Sequence, residues 1–151
     1  MKVLLSTMSG SNKPRVGLGV ILMNPEGEIL VGKRKNSHAP FYSIPGGNLE
    51  LGETFEEGAI REIKEETNLD LLGPEVIAVT NNLETYRNEG LHYISVVLIA
   101  SNYSGELKNM EPEKCEEWLW VDPSKLPTPH FDASRMAVEC YLDKKFYNIF
   151  H

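Results

Sequence analysis

With 151 residues, 15 Lys and Arg against 22 Asp and Glu, and a formal net charge of −7, the chain has the length of one domain able to bury a real core. Its acidity excludes bulk nucleic acid as partner, because binding to a phosphate backbone draws on clustered Lys and Arg. A small polyphosphate stays compatible, since a divalent cation can bridge it to an acidic protein.

Residues 1–13, rich in Ser, Gly and Asn, read as a flexible lead-in to a single domain over 14–151. The apolar run in MKVLLSTMSGSNKP is too short for a signal-peptide core. No stretch approaches the roughly 18 apolar residues of a membrane span. Cys115 and Cys140 are isolated thiols without metal or CxxC spacing, as suits a reducing compartment. A cytoplasmic protein without membrane contact is therefore expected.

VGLGVILM, NPEG and EILVGKR read as two apolar strands joined by a turn. A polar loop, KNSHAP, and an extended run, FYSIP, deliver the chain to Gly46 and Gly47. A helix should open at Thr54, whose hydroxyl can cap it while Glu57 completes a capping box. Phe55, Ala59 and Ile63 would form its apolar side. EVIAVTNNLETYR and LHYISVVLIA predict a second strand pair, the latter central in a sheet, and Trp118–Val121 a further short strand. DASRMAVECYLDKKF has helical spacing through Met136, Cys140 or Tyr141, and Lys144. Strands before and after a central helix, with another helix at the end, predict an α/β (α+β) fold with a mixed sheet covered on both faces.

Glu62, Glu65 and Glu66 should share one helix face. Neighbours at that spacing lie about 5 to 6 Å apart, and at an effective dielectric of about 20 each pair of charges repels by roughly 3 kcal/mol. The cluster is either a solvated acidic face or a cation site, and all-oxygen donors suit Mg²⁺, with Mn²⁺ as substitute. Gly46 and Gly47, lacking Cβ, let backbone come close to a metal or phosphate oxygen. GEILVGKR falls short of a P-loop: Arg34 stands where a metal-binding hydroxyl belongs, and EILV is strand-like. Lys33, Arg34 and Lys35 are the strongest basic run, either a substrate contact centred on Arg34 or a solvated patch.

From Gly47, Glu53, Arg61, Glu62, Ile63, Glu65, Glu66 and Leu69, at their fixed spacing, the segment resembles the Nudix box, GX5EX7REUXEEXGU with U aliphatic. Asn68 replaces a glycine of that pattern, a change tolerable because Asn readily adopts the left-handed conformation of a helix end. GKRKNS, LHYISV and KNMEPEKCEEWLWV are similar to segments of the nucleotide diphosphatases typified by MutT and its human and plant relatives. Asn48 stands where that subgroup commonly has His, so no acid–base role falls there.

The resemblance implies a Nudix-type α/β/α sandwich and an Mg²⁺-dependent enzyme. It would cleave a nucleoside triphosphate, an oxidised one such as 8-oxo-dGTP among the options, to monophosphate and pyrophosphate. Glu62 and Glu66 would hold the metal with the Gly47 backbone. Glu65 would hold a second ion or activate water, and Glu53 would orient the site through Arg61. A loop carboxylate, Glu113, either reaches the metal or belongs to a surface turn. His92 and Ser95 lie on a strand that lines the base pocket in the relatives, or are core residues. Together with Arg34, Gly46 and Gly47 they make up the substrate-binding set. The alternatives are another nucleoside diphosphate derivative or a prenyl diphosphate as substrate, and a nucleotide sensor without turnover. Relatives in the subgroup are often homodimers.

Overall fold

The computed structural model describes residues 13–149, so nearly all of the expected lead-in lies outside the described residues. Strand β1 (Arg15–Leu22) shows why the sheet is covered twice. Leu18, Val20 and Leu22 are buried against Ala59 and Ile63 on one side, while Ile21 is buried with Ala137, Val138 and Cys140 on the other. A strand apolar on both faces belongs in the middle of a layered sheet.

Four strands make the main sheet in the order β4 (Gly46–Asn48), β1, β7 (Tyr93–Ala100), β6 (Glu75–Asn82). β1 runs parallel to β7, from Arg15 opposite Tyr93 to Leu22 opposite Ala100, and β4 and β6 are antiparallel to their neighbours. The sheet is therefore mixed, as expected, and β7 is indeed central. β2 (Ile29–Arg34) lies between β3 (Tyr42–Ser43) and β9 (Cys115–Val121) in a three-stranded sheet, and β5 (Asp70–Leu71) pairs with β8 (Tyr103–Ser104).

The expected strand pair of β1 and β2 keeps its turn, where the N–H of Asn24 donates to Glu28 O. Beyond the Met23–Ile29 bridge, however, the two strands part into different sheets.

Helix α1 (Phe55–Thr67) packs on the β1 face through buried Gly58, Ala59, Ile63 and Thr67. Burying a side chain such as Ile63 contributes about 1.5 to 3 kcal/mol. Phe55 departs from the expected apolar side. It sits in the first turn, ahead of the packed stretch, and stays 39% exposed. Part of the run read as strand, LETYR, is helical: α2 (Leu83–Glu89) buries no residue and closes at Gly90, which is left-handed and donates to Tyr86 O. β9 begins at Cys115, three residues before the expected strand. α3 (Asp132–Asp143) covers the opposite face of the sheet with Met136, Ala137, Val138 and Cys140 buried.

Candidate active site

Helix α1 is fixed at both ends. Thr54 Oγ1 accepts from the N–H of Glu57, and Glu57 Oε1 accepts from the N–H of Thr54, which completes the capping box. At the other end Asn68 is left-handed, φ 70°, and donates its N–H to Lys64 O. The glycine missing from the box is thus replaced by a residue that holds the terminating conformation.

Between those ends Arg61 organises the carboxylates. Its Nε and Nη2 donate to the two oxygens of Glu53 at 2.6 and 2.9 Å. Its Nη1 donates to Glu62 at 2.9 Å and to Glu65 at 3.1 Å, and Nη2 also reaches the carbonyl of Asn48. Both the organiser pairing with Glu53 and the ordinary helical pair with Glu65 are present. The Arg61 guanidinium, helped by the backbone N–H of Glu50, holds Glu53 down at about 2. Glu53, Glu62 and Glu65 thus share one cation.

Burial works the other way on the inner carboxylates. It raises Glu62 above the usual range, against the pull of Arg61. It pushes Glu66 up to about 8, with the neighbouring Glu62 charge adding to it. The N–H of Gly46 donates to Glu66 Oε1 at 3.1 Å. Backbone comes closest at Gly47, where a Cβ would sit 2.4 Å from the Glu62 carboxylate.

Glu62, Glu65 and Glu66 line one cavity of about 380 Å³ together with Gly46, Gly47, Asn48, Arg34, Glu111, Lys114 and Trp118. Glu113 does not line it. The N–H groups of Lys114 and Cys115 both bond to Glu111 O, forming a tight turn; Glu111 lines the cavity while Glu113 is exposed, its carbonyl accepting from Asn36. Nothing in MEPEKCEEW distinguished the two glutamates, because only the turn decides which one faces inward.

A second cavity, of about 310 Å³, shares the wall formed by Ile44, Gly46, Gly47 and Asn48, with Arg34 common to both. Ser95 lines it, as do Asn82, Tyr93, His38 and Phe131. His92 lines neither cavity. It falls on the β7 parity of Val96 and Leu98, which face α1, and its Nε2 meets Asn81 Oδ1 at 2.7 Å. Of the basic run only Arg34 faces the cavities, with its Nε buried and without a partner; Lys33 pairs with Glu116. Asn82, His38 and Phe131 escaped sequence reasoning because fold topology alone joins them. The left-handed backbone of His38 and its bond to Glu89 close one rim.

The donors suit a hard divalent cation: four carboxylates and exposed backbone, all oxygen, with burial disfavouring the charge of Glu62 and Glu66. Among the described residues no three acidic, His or Cys side chains are already gathered as a metal shell. Arg61 engages Glu62 and Glu65 instead.

The NUDIX domain family model matches residues 13–139. The ADP-ribose pyrophosphatase of Methanocaldococcus jannaschii is 36% identical over 118 residues, covering 76% of this chain and 66% of that protein, so the chain spans just under two thirds of its length. The RNA pyrophosphohydrolase of Orientia tsutsugamushi is 38% identical over 129 residues, covering 74% and 77%. Among solved structures, the MutT NUDIX hydrolase from Burkholderia pseudomallei matches with a TM-score of 0.77 at 33% identity over 84% of this chain and 97% of that one. The helix bearing the box, its Arg61 hub and the family match agree: the chain belongs to the Nudix family and is a Nudix hydrolase of the MutT type.

Proposed function

We propose that the protein is an Mg²⁺-dependent diphosphohydrolase that cleaves a nucleoside triphosphate to the monophosphate and pyrophosphate. The observation that carries this reading is the pair of cavities sharing the Gly46–Asn48 wall, one acidic and the other lined by aromatic and hydrogen-bonding side chains. Their volumes are of the size that takes a small ligand. Phosphates would lie in the first and the nucleoside in the second.

Glu62, Glu65 and Glu66, with Glu111 in place of Glu113 and the Gly47 backbone, would hold the divalent ions. Bound Mg²⁺ would supply charge neutralisation and water activation. Arg61 keeps Glu53, Glu62 and Glu65 in position, and Gly46 donates its N–H to Glu66. Arg34, at the junction of the cavities, would donate to a phosphate oxygen.

Hydrolysis of a nucleotide panel with Mg²⁺, scored as pyrophosphate or phosphate release, tests the reaction. ADP-ribose and 5′-triphosphorylated RNA belong in the panel because relatives carry those names. Pyrophosphate release from a triphosphate is expected. Phosphate release, or turnover of ADP-ribose alone, would replace the reading. Mn²⁺ should substitute for Mg²⁺, and excess EDTA should abolish turnover; full activity in chelator would remove the metal from the reaction.

Arg34→Ala should raise KM about ten- to a hundredfold with kcat near its original value. One charged hydrogen bond contributes roughly 1.5 to 3 kcal/mol, and a contact made equally in the ground and transition states appears in KM alone. Steady-state kinetics on the best substrate decides: an unchanged KM would assign Arg34 to structure, and a fall in kcat alone to the transition state.

A further inference from the structure

The inner end of the second cavity is built from a buried polar chain. Thr80 and Ser95 lie opposite each other across β6 and β7, and Asn82 lies opposite Tyr93. Thr80 is wholly buried, and Asn82 and Ser95 are 3% and 9% exposed. Thr80 Oγ1 donates to Asn82 Oδ1 at 2.8 Å, and Asn82 Nδ2 donates to Ser95 Oγ at 2.6 Å. Asn82 and Ser95 line the cavity, whereas Thr80 stands behind them.

That chain has a direction. The Thr80 hydroxyl occupies the amide oxygen of Asn82, which turns the amide nitrogen toward Ser95. An amide nitrogen carries two hydrogens and a serine hydroxyl one. Among the described residues no protein acceptor takes the second Asn82 hydrogen or the Ser95 hydroxyl hydrogen. The wall therefore holds two uncommitted donor hydrogens, of which the Asn82 N–H can only donate while Ser95 Oγ keeps one lone pair, and buried donors left without an acceptor are costly.

We propose that the Thr80–Asn82–Ser95 chain makes this wall a hydrogen-bond donor that selects bases with a carbonyl at purine position 6 or pyrimidine position 4, guanine or uracil, over adenine and cytosine, which carry an amino group there. Thr80 is a positioning residue: it touches no ligand and sets which atom of Asn82 faces the cavity. The proposal rests on the reading of this cavity as the nucleoside site. An amino group at the same place would oppose the Asn82 N–H donor to donor. A site built to hydrogen-bond one group discriminates strongly against an analogue lacking it.

The test is calorimetric titration with GMP, AMP, UMP and CMP, beside kcat/KM for the matching triphosphates. Wild-type protein should favour GMP over AMP, and UMP over CMP, by at least about tenfold. Thr80→Val keeps the side-chain shape but frees the amide to turn, so both ratios should fall toward one. A merely structural threonine would lower stability and leave the ratios intact. Ser95→Ala should weaken GMP and UMP more than AMP and CMP, and it decides the matter together with the wild-type ratios should Thr80→Val not fold. Equal binding, an amino preference, binding of none of the four, or unchanged ratios in Thr80→Val would overturn the proposal. Selective binding without triphosphate hydrolysis would overturn the proposed reaction instead, and hydrolysis blind to the base would overturn only the selection.

Discussion

Glu66→Gln should lower kcat by at least about a hundredfold, the loss that follows when a charged group stabilising developing charge is removed. The substitution keeps the side-chain volume and an oxygen that can still accept from the Gly46 N–H, so the backbone around it should not move. Stability should go the other way. In the metal-free protein burial and the Glu62 charge push Glu66 from the ordinary 4.5 up to about 8. A carboxyl raised in this way favours the fold while it is neutral. That contribution is complete below about pH 4.5 and is lost as pH rises through about 8. Gln is neutral throughout. With EDTA present, the melting temperature of Glu66→Gln relative to wild type should therefore climb between about pH 5 and pH 8. Retained activity together with a lower melting temperature would make the acidic face a structural feature.

Gly47→Ala and Gly46→Ala, neighbours in sequence, should fail in different ways. At Gly47 the added methyl meets the end of the Glu62 side chain at 2.4 Å, and a side chain can swing aside. The fold should survive, but Glu62 would leave its place. A displacement of about 1 Å at a reacting centre can cost a hundredfold, so kcat should fall by about that factor or more with an unchanged melting temperature. At Gly46 the methyl meets the carbonyl oxygen of Leu18 at 1.9 Å. The backbones of β1 and β4 would have to separate there. Overpacking typically costs about 1 to 3 kcal/mol, with about 2 to 4 °C of melting temperature per kcal/mol in a protein of this size, so Gly46→Ala should melt several degrees lower. Calorimetry beside kinetics separates the cases, and a Gly47→Ala protein with normal kcat would show that Glu62 has no fixed task.

What the sequence revealed depended on the range of the interaction. The capping box at Thr54 and Glu57 and the left-handed Asn68 were legible because each is decided within four residues. The shared cavity face of Glu62, Glu65 and Glu66 followed from helical spacing alone. His92 and Ser95 have opposite parity along the strand, so one cavity face takes Ser95 and not His92, and which face carries the cavity is not a local property. Glu111, not Glu113, lines the cavity because of a turn that the acidic run itself does not show. α2 escaped because none of its residues is buried, leaving no apolar period to detect, although the left-handed Gly90 behind Glu89 was a stop signal that could have been used. Arg34 could be proposed from charge, but its separation from Lys33 needed the Lys33–Glu116 pair. The second cavity is assembled from five separate stretches of chain, and no local pattern announces it.

The parallel pairing of β1 with β7, from Arg15 opposite Tyr93 onward, also sets a timetable during synthesis. A ribosome adding about 5 to 20 residues per second takes several seconds to pass from one strand to the other. α1 is made partway through that interval, but Val96 and Leu98, which complete the core under Ala59 and Ile63, come only at its end. The long edge of β1 lacks its partner for the same period, and an unpaired strand edge beside an uncovered apolar stripe is what nascent chains aggregate through. The nascent segment from β1 to α1 is therefore where a holding chaperone would act, and translation slowed before β7 should lower the soluble yield.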